Sequence, residues 1–463
     1  MASIQKRKTS KGTSYNVVYY YVDENGQKKQ KWESFSSHKE AAKRKATIEN
    51  QQNERTFLPP TDQTVKEFLE DFVTIYGTKK WGLSMHDSST SLIDNYIVPI
   101  LGEVKIRDIT TRTVDKYIQT LQKTQPVSTR TRRAKTEYVT DKTIEKIIKL
   151  LRCAFHQAVR WELISKNPFD HAILPKTEYT KRDIWDAETI CTALDECKDR
   201  LLYIAMNLAF ACSLRIGEIL GLTWDNVHIS DGEIAENNAY IYIDKELTRV
   251  SKQALTQIGE KDIFHIFQPT MVNTTTCLVL KAPKTATSVR KVWLPKTLAY
   301  ILRDWKEYQD SWKDMLGEEY EDHGLVIALD NGRPCENRII EKRFSQLKEK
   351  AGLPNVVFHS LRHSSTTYKL KLNHGDLKAT QGDTGHAQAS MVTQIYAHVL
   401  DEDRKVNAQK FEKAFYAKPD LRNSHPPEEK QDVDVSALIE QLKSSPELAK
   451  ALAALIAEQK NNG

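Results

Sequence analysis

Two adjacent prolines, Pro59-Pro60, set between Leu58 and Thr61, do more than any other feature to limit how this chain folds. A proline pair fixes two successive φ angles and removes two backbone donors, so neither a helix nor a central strand runs through it. The residues on either side must therefore build separate structures, and their patterns differ. Upstream the period is two: Tyr15, Val17, Tyr19 and Tyr21 alternate with Asn16, Val18, Tyr20 and Val22, an aromatic and β-branched run that predicts a strand. Asn25-Gly26 supplies the positive φ angles of a tight hairpin turn, and a polar strand from Gln27 to Phe35 follows, carrying Lys28, Lys29 and Lys31. Ser37 and Glu40 form a capping-box pattern that opens a helix bearing Lys43, Arg44 and Lys45 and ending near Asn53. Residues 1–57 thus read as a small α+β domain, a three-stranded sheet plus one helix.

Downstream the period becomes helical. Val65, Phe68, Leu69, Phe72 and Val73 share a stripe, as do Val114, Ile118 and Leu121, and a later helix from Ile144 to Trp161 aligns Ile147, Leu151, Phe155 and Val159. This predicts an all-α domain over 62–172, closed by Lys166-Asn167-Pro168-Phe169, with a second linker from Leu174 to Arg182. Inside it, Ser128 to Lys135 is a loop holding Arg130, Arg132, Arg133 and Lys135, a solvated run unless it lies against phosphates. Residues 184–415 mix classes and are mostly helical, with one small antiparallel sheet. Asp186 caps a helix, Leu201 to Phe210 forms a buried one, Tyr240 to Leu247, Thr276 to Leu280 and Val289 to Leu294 form strands, and helices resume at Leu298. In 416–463 a tether from Asp420 to Lys430 precedes a short helix with Ser445 as N-cap, Pro446 at its first position and Leu448, Leu452, Leu455 and Ile456 on its apolar side.

Charge locates a partner. The net charge is +6, and residues 1–50 alone hold 11 Lys/Arg against 5 Asp/Glu, so the surplus sits in the first module and implies a polyanion. With 40% hydrophobic and 28% charged residues, wholesale disorder is excluded. The longest apolar stretch, Leu201 to Leu214, is broken by Asn207 and Ser213 and is too short to span a bilayer. Met1 to Lys11 lacks the apolar block of a secretory signal, so a cytoplasmic location is expected. Six cysteines without a CxxC pair suggest neither a zinc site nor a disulfide framework and read as reduced, mostly buried thiols.

Four separated segments carry candidate chemistry. In Cys212-Ser213-Leu214-Arg215-Ile216-Gly217-Glu218, an arginine in apolar surroundings must find an anion, either Glu218 or a bound phosphate. Lys284 lies in a turn between two strands, at what reads as a hairpin tip. His359-Ser360-Leu361-Arg362-His363 places His359 and Arg362 on one helical face, with His363 facing away from His359. Gly385-His386 is followed by Tyr396 and His398. Singly, each has a bland reading: a structural ion pair, a solvated lysine, a packed histidine, a packed tyrosine.

The ordered set Arg215, Lys284, His359-x-x-Arg362, Gly385-His386 and Tyr396 resembles the tyrosine recombinase (phage integrase) family, as do Leu214-Arg215-x-Gly217-Glu218-Ile219-x-x-Leu222-x-Trp224, Pro283-Lys284-Thr285 with Arg290 after it, and Tyr396-Ala397-His398-Val399. Residues 64–169 are similar to the family's core-site-binding domain, and 1–52 to the arm-site-binding domains of integrases from temperate phages and integrative elements. The resemblance implies strand cleavage without metal or cofactor. By the same resemblance Tyr396 is expected as the nucleophile, His359 as its base, Arg215, Arg362 and His386 as hydrogen-bond donors to the phosphate, and Lys284 as the acid. It further implies double-stranded attachment-site DNA as partner, a homotetramer on that DNA, a directionality factor, a host DNA-bending protein and a place at the bacterial nucleoid. Lys28, Lys29, Lys31, Arg130, Arg132, Arg133 and Lys135 are the expected DNA contacts. Ser213 departs from a common Gly and Thr384 from a common Leu, and Tyr396 lies one residue further from His386 than is usual. Residues 251–273 look inserted, facing DNA or another protomer. Rival readings are a type IB topoisomerase-like relaxing enzyme, a non-catalytic DNA-binding regulator and a His-clustered metallonuclease.

Overall fold

The period-two run becomes the middle strand of an antiparallel sheet ordered β1-β2-β3, with β1 (Ser3–Thr9), β2 (Gly12–Val22) and β3 (Lys28–Phe35). The structure, a computed structural model, describes residues 2–385 apart from 10–11, 23–25, 55–56, 58–61, 129–133, 135, 177–182, 261, 270, 272 and 374. The tether and C-terminal helix predicted beyond Phe415 lie outside the described residues. Helix α1 (His38–Asn53) covers one face of the sheet and buries Val17 and Tyr19 against Ala41 and Ile48. Ser37 caps it, but by accepting from the Lys39 amide at 3.2 Å, so the reciprocal bond of a capping box with Glu40 is not made.

The helical part comprises α2 (Val65–Asp71), α3 (Thr78–Lys80), α4 (Leu83–Leu92), α5 (Val98–Leu101), α6 (Thr111–Leu121) and α7 (Asp141–Arg160). Wider π-type turns over Phe72–Gly77 and Ile93–Ile97 join α2 to α3 and α4 to α5. The predicted stripes meet in one core, where Phe68, Phe72, Val114, Leu121, Ile144, Ile147, Leu151 and Phe155 are all fully buried. Each such side chain contributes roughly 1.5–3 kcal/mol of burial, so the apolar stripes supply a main favourable term that offsets the entropy of ordering the bundle.

The remainder runs α8 (Ala187–Glu196), α9 (Arg200–Ala211), α10 (Ile216–Leu220), β4 (Val227–His228), α11 (Asp231–Ala235), β5 (Tyr240–Ile243), β6 (Glu246–Ser251), α12 (Lys252–Ile258), β7 (Ile263–Phe267), β8 (Thr276–Lys281), β9 (Arg290–Trp293), α13 (Lys296–Leu316), α14 (Asn337–Lys350), α15 (His359–Leu372) and α16 (Leu377–Thr384). Asp186 caps α8 by accepting from the Thr189 amide at 2.8 Å. The apolar α9 is the hub and touches α10, α13, α14 and α15. Two three-stranded antiparallel sheets form here, β4-β5-β9 and β6-β8-β7, where one was expected. The reason lies in the run predicted as a single strand over Tyr240 to Leu247. Asp244-Lys245 interrupts it, and the two halves join different sheets. The Lys284 turn is accordingly no hairpin tip, since β8 pairs with β6 and β7 while β9 pairs with β5.

The segment 251–273 supplies α12 and β7. It packs on the chain's own helical part: Leu83 of α4 shares a buried cluster with Val250, Ala254, Cys277 and Val279. The Asp87 carboxylate also accepts from the Ser251 amide at 2.8 Å and from the Ser251 hydroxyl. Of the six cysteines, Cys212, Cys277 and Cys335 are buried, Cys197 is half-buried, and Cys153 and Cys191 are exposed, which corrects the expectation of mostly buried thiols.

Candidate active site

Helix α9 stops at Cys212, and the chain reverses through Ser213, whose φ of 54° lies in the left-handed region, to set Arg215 as N-cap of α10. That short helix exists to face Glu218 back onto Arg215: the carboxylate accepts from the Arg215 amide at 3.0 Å and from its guanidinium at 2.8 Å. Glu218 is 1% exposed and also accepts two bonds from Arg290, at 3.0 and 3.2 Å. Burial opposes ionisation of Glu218, but the Arg290 charge and its hydrogen bonds, with those of Arg215, outweigh it and hold the carboxyl below its usual range.

Arg362 reaches the same corner from α15 and is 2% exposed. It donates to the Ser213 carbonyl and, at 2.6 Å, to the Thr384 carbonyl. Arg215 donates to the Gly385 carbonyl at 3.1 Å, and Arg290 Nε to the Asp383 carbonyl at 3.0 Å. Three successive carbonyls, those of Asp383, Thr384 and Gly385, are thus each held by a different arginine. Burial, followed by repulsion from Arg215, lowers Arg362 to about 9, which still leaves it protonated at neutral pH. Gly385 ends α16 at φ 63°, and a Cβ there would stand 2.9 Å from the Arg290 guanidinium, so both backbone angle and close approach require glycine. Thr384 is tolerated in a fully buried place because its hydroxyl donates to the Thr380 carbonyl at 2.8 Å.

Arg215 and Arg362 are therefore brought together on the adjacent carbonyls of Gly385 and Thr384. His359 opens α15, half-buried, three residues before Arg362. Its ring lies edge-on to His363 at 4.8 Å, which corrects the expectation that His363 faces away: residues four apart share a helical face. Lys284 is exposed in the connection between the two sheets and makes no hydrogen bond among the described residues. His386 and Tyr396 lie outside the described residues, as do Arg130, Arg132, Arg133 and Lys135. No group of three or more metal-ligating side chains forms among the described residues.

The three strand lysines do not form one patch. The pleat puts Lys28 on the open face with Tyr20 and Trp32, which are 50% and 49% exposed, while Lys29 and Lys31 share the α1 side with Tyr19. Lys28 sits 5.1 Å from the Tyr20 ring, and Lys31 pairs with Asp62 at 2.5 Å. Asp62 also pairs with Lys105 and Arg107 of the helical part, so Lys31 is tied to structure. Arg290 is the functional-looking residue for which the sequence reading found no role. Its signal was parity: it alternates with Val292 on the inward side of β9, where a guanidinium needs a carboxylate.

Three family descriptions match consecutive parts of the chain: Arm DNA-binding domain over 4–52, Phage integrase, N-terminal SAM-like domain over 64–122, and Phage integrase family over 184–403. Residues 184–403 thus belong to the phage integrase family. Among its relatives are a Tyrosine recombinase XerC-like protein of Caldanaerobacter subterraneus subsp. tengcongensis, 28% identical over 276 residues, and the ICEBs1 integrase of Bacillus subtilis, 24% identical over 278 residues. These alignments cover 58% and 59% of this chain and 64% and 66% of the relatives, just under two thirds of their length. In fold it is similar to the Tn1549 transposon integrase solved with circular intermediate DNA, at a TM-score of 0.56 and 16% identity, covering 75% of this chain and 99% of that one. No described helix is long and apolar enough to cross a membrane.

Proposed function

We propose that this chain is a site-specific DNA recombinase that inserts and removes a mobile element by transesterification. The Tyr396 phenolic oxygen attacks the scissile phosphorus, the bond from phosphorus to the 5′ oxygen breaks, and a 3′-phosphotyrosyl ester remains. His359 takes the phenolic proton, and Lys284 gives one to the departing 5′ oxygen. Arg215, Arg362 and His386 donate to the non-bridging oxygens, whose charge grows in the transition state. Attack by the partner strand's 5′-hydroxyl reverses the step, so one ester replaces another and no net bond energy is lost.

The observation that carries this reading is the convergence of Arg215 and Arg362 on adjacent carbonyls immediately before His386. The domain plan we assign is an arm-type DNA-binding domain at 1–57, a core-site-binding domain at 62–172, a catalytic domain at 184–415 and a tether with helix at 416–463. In this assignment Lys28 and the open sheet face meet the arm DNA, and Arg130, Arg132, Arg133 and Lys135 meet phosphates at the core site. The working complex is a homotetramer on two attachment sites, assisted by a directionality factor and a host DNA-bending protein. The test is a nicked duplex suicide substrate incubated with native protein and with Tyr396→Phe, read on a denaturing gel. A covalent adduct is expected with native protein only, and a shifted band in both or in neither refutes the proposal.

A further inference from the structure

The geometry points to Arg290 as a positioning residue that sets the pitch of the Asp383-Thr384-Gly385 turn, and with it the placement of Arg215. The inference rests on the proposed recombinase reading for its catalytic consequence, but its structural part stands alone. Arg290 uses its whole guanidinium: Nε on the Asp383 carbonyl at 3.0 Å, one terminal nitrogen on the Ser288 carbonyl at 2.9 Å and on Glu218 at 3.2 Å, and the other on Glu218 at 3.0 Å. It is 8% exposed, and all three of its guanidinium nitrogens are engaged within the protein, so its part is to hold other groups and not to bind a phosphate itself.

Its work is indirect. By clamping one edge of the Glu218 carboxylate, it leaves the remaining lone pairs for Arg215, whose other terminal nitrogen is then directed at the Gly385 carbonyl. By holding the Asp383 carbonyl, it fixes the last turn of α16, while Gly385 approaches so closely that a Cβ would meet Arg290 Nη1 at 2.9 Å and Cζ at 3.1 Å. Only a planar fork satisfies these acceptors from one side chain; an ammonium of equal charge cannot span them. The β9 strand that follows the Lys284 turn is thereby keyed to the same Glu218 that orients Arg215.

Arg290→Lys and Arg290→Gln in the full chain test this with two readouts. Hydrogen exchange over residues 377–385 is expected to accelerate in both variants, because the last turn of α16 loses its anchor. Formation of the covalent adduct on the nicked duplex under single-turnover conditions is expected to fall about 100-fold in Arg290→Gln, the scale of a misplaced constellation, and less in Arg290→Lys, with DNA affinity little changed. Added guanidinium ion should restore part of the rate to Arg290→Ala, which a loss of fold alone does not allow. Unchanged exchange in Arg290→Lys, or a native adduct rate in Arg290→Gln, overturns the inference. If Arg290→Gln does not fold, Arg290→Lys decides by both measures. If native protein forms no adduct, the recombinase reading fails while the exchange result still judges Arg290.

Discussion

Ser213 offers a sharp test of the local geometry because two substitutions there differ in one respect only. Its φ is 54°, its hydroxyl lies 2.5 Å from that of Ser365, and its carbonyl accepts from Arg362. Ser213→Ala keeps the left-handed strain and strands a fully buried hydroxyl, a loss of about 1–3 kcal/mol. Ser213→Gly loses the same hydrogen bond but relieves a strain of about 1–2 kcal/mol. Against that relief, glycine returns about 0.4–1 kcal/mol through the freer unfolded chain. The glycine variant should therefore be the more stable of the two by about 0.5–1 kcal/mol, with both below the native protein or Gly close to it. Urea unfolding followed by tryptophan fluorescence reads the difference, since Trp185 packs in the same region and its carbonyl accepts from Ser364. An alanine variant equal to or more stable than the glycine variant refutes the left-handed assignment at Ser213.

Three further outcomes are expected. Glu218→Gln removes the single carboxylate shared by Arg215 and Arg290 and should cost about 3–5 kcal/mol of stability. Because Glu218 is held below its usual range, its contribution is complete above an unfolded value of about 4.3 and is lost only as pH falls through the lower folded value. Urea titrations at several pH values should thus show a constant gap to native protein down to mild acidity and a narrowing one below. Lys28→Ala should shallow the log–log salt dependence of duplex DNA binding by about 0.9, as for one lost phosphate contact, while Lys31→Ala, already paired with Asp62, should leave the slope alone in fluorescence anisotropy. Peptide mapping after brief iodoacetamide treatment at mildly alkaline pH should find Cys153 and Cys191 modified first, with Cys212 and Cys335, pushed up to about 12 by burial, untouched.

Much of the architecture was legible because periodicity is a local property. The alternation in Tyr15 to Val22 and the stripe through Ile147, Leu151 and Phe155 state which faces are buried without knowledge of what covers them. Sheet membership was not legible: nothing in Tyr240 to Leu247 says that Asp244-Lys245 hands the chain from one sheet to another, since that is settled by β9 and β8, which come some thirty to fifty residues later. Strand parity was available but unused for Lys28, Lys29 and Lys31. At the site, Arg215 and Arg362 could be named from their ordered motifs, yet their meeting depends on long-range closure between α9, α15 and α16. The departure at Ser213 was visible as an absent glycine, and its meaning, a left-handed residue under an arginine, needed the backbone.

The charge balance of this corner follows from that closure. Among the described residues Arg215, Arg290 and Arg362 gather around one carboxylate, Glu218, while the nearby Asp383 carboxylate is paired with Lys369 at 3.0 Å. Folding alone thus gathers a cationic excess whose members repel one another, and the downward pull of Arg215 on Arg362 is one measure of that repulsion. The backbone carbonyls of residues 383–385 offset part of the cost with partial negative charge, and they fix direction as well, because each accepts along a defined line. An anion that enters beside Arg215, which is one-third exposed, meets donors already oriented by Glu218 and Gly385, so the desolvation and alignment of the guanidiniums are met when the chain folds and not when the ligand arrives. A neutral ligand gains less from that arrangement, which is why, in the proposed recombinase reading, the carbonyl-anchored arginine pair suits a phosphodiester better than an uncharged substrate of similar shape.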